Sequence, residues 1–140
     1  MFKAIAGFVL GFILALCACS RQNTLTTDEI RSQLLSAKSL AAETEMFVDY
    51  VRQKRATKHY AQGHIEYLTE EVENSRQELH QCSPAQGEED AFQKLSAQFD
   101  ALHAELHIIG KKLDDVNALA TAKEHIARIR QTLDEANSTI

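Results

Sequence analysis

His103 and His107 stand four residues apart, and they are the chain's plainest candidates for metal chemistry. Side chains at that spacing share one face of a helix, so two imidazoles can close on a Zn²⁺ or Cu²⁺ ion. If the preceding segment returns as an antiparallel helix from a turn at Ser83, His64 and Glu66 come to about the height of His103. Three imidazoles and a carboxylate would then meet. The competing reading is a solvated pair on a helical rim, because His103 and His107 flank the apolar stripe of their segment, and His64 likewise flanks Ile65. The paired Glu-x-x-His motifs of di-iron bundles are absent, as is the Cys-x-x-Cys-His of covalent haem attachment. No cofactor is expected.

A second constellation is electrostatic. Arg52, Lys54, Arg55, Lys58 and His59 cluster in a chain that is otherwise acidic. Such a cluster suits anionic lipid headgroups, the acidic stems of cell-wall peptides or an acidic protein. Phe47, Tyr50, Tyr60 and Tyr67 place aromatic rings through the same stretch. The cluster with Tyr60 is the candidate partner-binding surface. Two plainer readings compete with it. Glu66, Glu70, Glu71 and Glu73 lie near enough in sequence to neutralise the cations. Tyr60 and Tyr67 are seven apart, the spacing of a core seam, and the core is the expected place for them.

Catalytic signals are weak. No serine sits in a nucleophile elbow, no Gly-rich loop is present, and the carboxylates are scattered over solvent-facing positions. An acid–base pair must be buried or closely coupled to be tuned for catalysis. The chain is expected not to be an enzyme.

The elements that must position these residues read as helices. Between residues 20 and 140 there are three glycines and one proline, Pro84, against many Ala, Leu, Glu, Gln, Lys and Arg. Thr26 with Glu29 has the spacing of a capping box. Ile30, Leu34, Ala37, Ala41, Thr44 and Val48 then step by threes and fours, with Leu40 and Phe47 widening the stripe. A similar face runs through Ala61, Ile65, Leu68, Val72 and Leu79. The segment from Cys82 to Gly87 is the clearest turn, with Ser83 as a cap and Pro84 at a first helical position. Beyond it, Phe92, Leu95, Phe99, Leu102, Leu106, Ile109, Leu113 and Val116 alternate three and four. A last stripe joins Leu119, Ala122, Ile126, Ile129, Leu133, Ala136 and Ile140, with Asp114 as a candidate cap.

The fold class is therefore all-α, and two architectures fit. One is an antiparallel four-helix bundle with helices at about 27–57, 63–81, 85–110 and 114–138. The other is a long two-helix, coiled-coil-like hairpin with its turn at Ser83. The bundle is favoured because it buries more surface per residue.

The first twenty residues carry a different message. Lys3 supplies a positive start, Ala4 to Leu16 is an uncharged apolar run, and Leu16-Cys17-Ala18-Cys19-Ser20 follows. A membrane-spanning helix needs roughly 20 apolar residues, so this run is short for one. The segment resembles the signal peptide and lipobox of bacterial lipoproteins, with Ala18 before the cut and Cys17 departing from the usual small residue. That resemblance implies residues 1–18 as signal, Cys19 as the lipidated residue, 19–26 as a short tether and 27–140 as the helical domain. It also implies a membrane anchor of several acyl chains. In Gram-negative lipoproteins, Ser20 after the cysteine leans towards the outer membrane, facing the periplasm.

Removal of residues 1–18 takes Lys3 alone among the charges, leaving 14 basic and 20 acidic residues, net −6. Nucleic acid is a poor partner for such a chain. Cys82 is then the remaining thiol and can form no internal disulfide. The function expected is a lipid-anchored, non-enzymatic interaction module, with an envelope protein or cell-wall component as partner. The alternative is a periplasmic metal- or small-ligand-binding bundle carried by His64, His103 and His107.

Overall fold

The computed structural model describes residues 23–140. Cys19 and the whole lipobox segment lie outside the described residues. No helix among those described is long and apolar enough to cross a membrane.

Four helices run alternately up and down: α1 (Thr27–Arg52), α2 (Lys58–His80), α3 (Glu89–Lys111) and α4 (Val116–Ser138). The architecture is the four-helix bundle and not the long hairpin. The anticipated stripes form its core. Ile30, Leu34 and Val48 of α1, Leu68 and Val72 of α2, Leu95, Leu102 and Leu106 of α3, and Leu119, Ile126 and Leu133 of α4 are all buried. Thr44 is the one buried polar residue among those described, and its hydroxyl donates to the carbonyl of Leu40 at 2.8 Å. Burying that hydroxyl therefore leaves no unmet hydrogen bond.

The bundle is not square. α1 packs most extensively on α4 and also crosses to α3, whereas the consecutive helices α1 and α2 meet sparsely. Side-chain size accounts for this. Ala37 and Ala41 of α1 and Ala122 and Ala136 of α4 are buried, and small residues let helix axes approach. The α1–α4 seam is further laced by Lys38–Asp134, by Lys123–Asp49 at 2.9 Å and by Arg130–Glu45 at 3.2 Å. On the other flank, Phe47, Tyr50 and Tyr60 line an open cleft between α1 and α2.

The helix starts follow local chemistry. Thr26 and Glu29 form the expected capping box, the Thr26 backbone N–H donating to Glu29 Oε2 at 2.7 Å. That bond holds the Glu29 carboxyl below the ordinary range. Thr57 caps α2, and Asp115, one residue past the expected Asp114, caps α4 by accepting from the N–H groups of Asn117 and Ala118.

Three boundaries differ from the reading of the sequence. α1 stops at Arg52 and α2 begins at Lys58, so Gly63 lies inside α2. Ser83 and Pro84 do not start α3. They belong to a three-residue strand β2 (Cys82–Pro84), which pairs in parallel with β1 (Asn23–Leu25) in the register Asn23↔Cys82 and Leu25↔Pro84. The Ala85 N–H extends the pairing to the Leu25 carbonyl at 2.9 Å. Gly87, at φ 93°, turns the chain into α3. Residues 23–25 are thus docked, not a free tether. The Thr27 hydroxyl adds a bond to Glu88 at 2.6 Å. Cys82 lies in this clamp, half-buried, with Sγ donating to the Glu78 carbonyl at 3.2 Å. Burial pushes its thiol above the ordinary range, and the charges of Glu29 and Glu78 add to the shift.

Candidate functional site

The basic cluster sits at the end of the bundle opposite the β1–β2 clamp. α1 has 26 residues, so the two ends are about 39 Å apart. α1 ends there in a Schellman turn. Lys54 N–H donates to the Val51 carbonyl at 2.9 Å and Arg55 N–H to the Tyr50 carbonyl at 3.1 Å. In that motif the residue after the cap adopts left-handed backbone, usually as glycine. Here it is Lys54, at φ 57°. The α3–α4 turn lies alongside and forms with it a hollow of about 310 Å³ lined by Arg52, Lys54, Lys58 and Asp114.

The five expected contact residues divide. Arg52 lies 3.6 Å from Asp49, and Lys58 pairs with Asp114 across the two turns. Arg55 holds its guanidinium carbon 5.9 Å from the centre of the Tyr50 ring. Lys54 has no acidic partner among the described residues, and Lys111 and Lys112, at the same end, have none either. The anticipated neutralisation by the acidic run of α2 is not what the structure shows. Glu73 is engaged by Arg76 and His103, and Glu66 and Glu70 face α3. Asp49 and Asp114 are instead the local counter-charges. The hydrogen bond from Lys123 holds the Asp49 carboxyl below the ordinary range against the opposing effect of burial.

The tyrosines are not a core seam. Tyr60 is 55% exposed and Tyr67 50%. The reason is the gap between α1 and α2, which leaves that face of α2 uncovered. Glu43, Met46, Phe47 and Tyr50 from α1 and Tyr60 and His64 from α2 line a cleft of about 370 Å³. Phe47 is its buried floor, with ring centroids 5.9 Å from Tyr60, 6.4 Å from Tyr50 and 4.2 Å from His64. His64 Nε2 lies 3.4 Å from Glu43 Oε1.

The three histidines do not converge. His103 and His107 do share a face, their rings 4.7 Å apart and edge to face. His64 points into the α1–α2 cleft. It also sits roughly two and a half turns along α2 from Glu73, the residue that actually faces His103. Part of the slip in register comes from residues 82–84 being spent on β2, so that α3 starts only at Glu89, four residues later than the sequence suggests. Among the described residues, no group of three or more His, Cys, Asp or Glu side chains is arranged to hold a metal ion. His103 instead joins a network across α2 and α3. It lies 3.3 Å from Glu73, and Arg76 links Glu73 to Asp100. Burial pushes His103 below the ordinary imidazole range, and the Arg76 charge adds to that against the pull of Glu73. Above this network lies a groove of about 500 Å³, with Ile65, Leu106 and Gly110 as its floor and Glu66, Glu70 and His107 on its banks.

Compared with known proteins, the chain matches no family model, and neither a curated protein nor a solved structure matches it. Sequence reasoning missed Glu43 and Met46 as partners of the aromatic stretch. The signal was their spacing, Glu43 four residues before Phe47 and Met46 four before Tyr50. It also missed Lys111 and Lys112 as part of the basic end, for which only the three-dimensional pairing of the two turns gives evidence.

Proposed function

We propose that this chain is a lipid-anchored, non-enzymatic module of the cell envelope, held at Cys19 on the periplasmic side of the outer membrane. Its far end captures an acidic envelope protein or cell-wall component. The observation that carries this reading is Lys54. A left-handed position that favours glycine is occupied by a lysine, and its ammonium projects without an acidic partner among the described residues. Backbone strain of this kind clusters at functional sites. Arg55, Lys111 and Lys112 extend the same charge, and exposed Tyr60 offers contact area beside it.

The clamp at the near end supports the same arrangement. A short linker from Cys19 to Asn23 leaves the domain close to the lipid surface, with the basic end about 39 Å further out. The test is crosslinking in intact cells, followed by mass spectrometry of what the tagged protein captures. One dominant envelope partner is expected, lost in a Lys54→Glu, Arg55→Glu double variant whose helical circular dichroism is unchanged. Capture that survives the reversal removes this end as the contact. A Cys19→Ser variant tests the anchor separately, since it should leave the membrane fraction.

A further inference from the structure

Two of the chain's three tyrosines, Tyr50 and Tyr60, line the α1–α2 cleft, Tyr67 lies beside it with its ring 5.8 Å from His64, and the chain has no tryptophan. We propose that this cleft binds an organic ammonium ion of the trimethylammonium class, held on the faces of Tyr50, Tyr60 and Phe47 with Glu43 as its counter-charge.

The geometry supplies what such an ion needs. A quaternary ammonium has no N–H to donate and is weakly hydrated, so it is recognised by aromatic faces, whose quadrupoles attract cations. Three rings meet here at different inclinations. Tyr60 stands at 66° to Phe47 and Tyr50 at 30°, so they form a corner and not a flat stack. Phe47 closes the bottom, while Tyr50 at 39% and Tyr60 at 55% exposure keep ring surface open to a ligand. That these rings attract cations is visible already, since Arg55 rests over Tyr50 at 5.9 Å.

The carboxylate decides the charge of the occupant. Glu43 is 40% exposed and lines the same cleft, within 3.4 Å of His64. A purely apolar ligand gives that carboxylate nothing, and a hard metal ion wants several oxygen ligands where the cleft offers one. The volume, about 370 Å³, lies in the range of small-molecule sites. The gap that creates it is part of the fold, because α1 packs mainly on α4 and only sparsely on α2. The site adjoins the basic end, where Arg55 rests against Tyr50, but binding of the ion does not depend on anchoring or on the proposed partner.

The experiment uses the full chain in a non-ionic detergent. Choline is titrated while tyrosine emission is followed, and ligand NMR follows its N-methyl resonance for the variants. Saturable binding at a roughly millimolar dissociation constant is expected, with an upfield shift from the rings. Glu43→Gln, at a half-buried position, and Tyr60→Ala, at an exposed one, should each weaken binding by about tenfold. The neutral carbon analogue 3,3-dimethylbutanol is the decisive control. If it binds as well as choline, the cleft is merely apolar and the proposal fails, as it does if choline does not saturate. Competition separates the sources of the ion. Displacement of choline by phosphatidylcholine vesicles and not by phosphatidylglycerol vesicles assigns the site to a lipid headgroup. Displacement by glycine betaine alone assigns it to a soluble solute. Both outcomes uphold the ammonium site.

Discussion

Replacing Lys54 with glycine should stabilise the fold and disable the protein's proposed contact at once. The Schellman turn places residue 54 at φ 57°, where a side-chain-bearing residue costs about 1–2 kcal/mol. Glycine removes that cost but enlarges the freedom of the unfolded chain, which returns about 0.4–1 kcal/mol. The net gain is centred on about 0.8 kcal/mol, within a range of about 0–1.6, because both backbone bonds of the turn, from Lys54 and from Arg55, are made by the main chain and survive the change. For a domain of this size that corresponds to a rise in Tm of roughly 2–5 °C. Thermal melts at 222 nm and urea titrations measure it, with an unchanged m-value showing that the two end states are the same. Lys54→Asn should fall between lysine and glycine, since asparagine tolerates left-handed backbone. A Lys54→Gly variant that is less stable than the parent would refute the turn geometry. One that is more stable but captures its partner as before would refute the view that strain is kept for the sake of the ammonium.

Gly63→Ala should also stabilise, by about 0.5–1 kcal/mol, because the position is inside α2 and a methyl there meets nothing within 4 Å. Urea titration reads the gain. Leu68→Ala, at a fully buried core position, should cost about 2–5 kcal/mol and lower the midpoint of the same curve. His103 makes stability depend on pH. Its pKa is lower folded than unfolded, so the unfolded chain binds more protons between the two values. Its contribution is complete above the ordinary imidazole range near pH 6.5 and falls away as pH drops towards the folded value. Unfolding curves across pH 5–8 should show that slope, and His103→Gln should flatten it. Cys82 should react with iodoacetamide more slowly than a free peptide thiol at pH 8, and denaturation should remove the difference.

The helices were legible because their burial is periodic. Every buried residue of α2 and of α4 lies on a stripe visible in the sequence, from Ala61 to Leu79 and from Leu119 to Ala136. The capping box at Thr26 was equally plain, since its bonds join residues three apart. What escaped depends on partners distant in sequence. Ser83 and Pro84 carry good helix-start chemistry, and only the presence of Asn23 to Leu25 alongside turns them into a strand. That diversion delays α3 by four residues and contributes to the shift of register that sets His103 against Glu73 and not His64. Tyr60 and Tyr67 have core spacing, but spacing does not say whether a neighbouring helix covers the face. Here α1 turns towards α4, drawn by the small buried residues on both, and the tyrosines stay in solvent.

The β1–β2 clamp also decides how the domain carries a mechanical load. Its strands are parallel, and β1 enters from the chain that precedes Asn23. A pull on that chain along the strand direction shears the two strands past one another instead of peeling them apart. The bonds of the clamp, together with the one from Thr27 to Glu88, are then strained together and must give way as a group. An antiparallel hairpin pulled from one end would lose its bonds singly. The force passes through the clamp into the α2–α3 junction as well as into α1, so tension is shared between two helices before either begins to unravel.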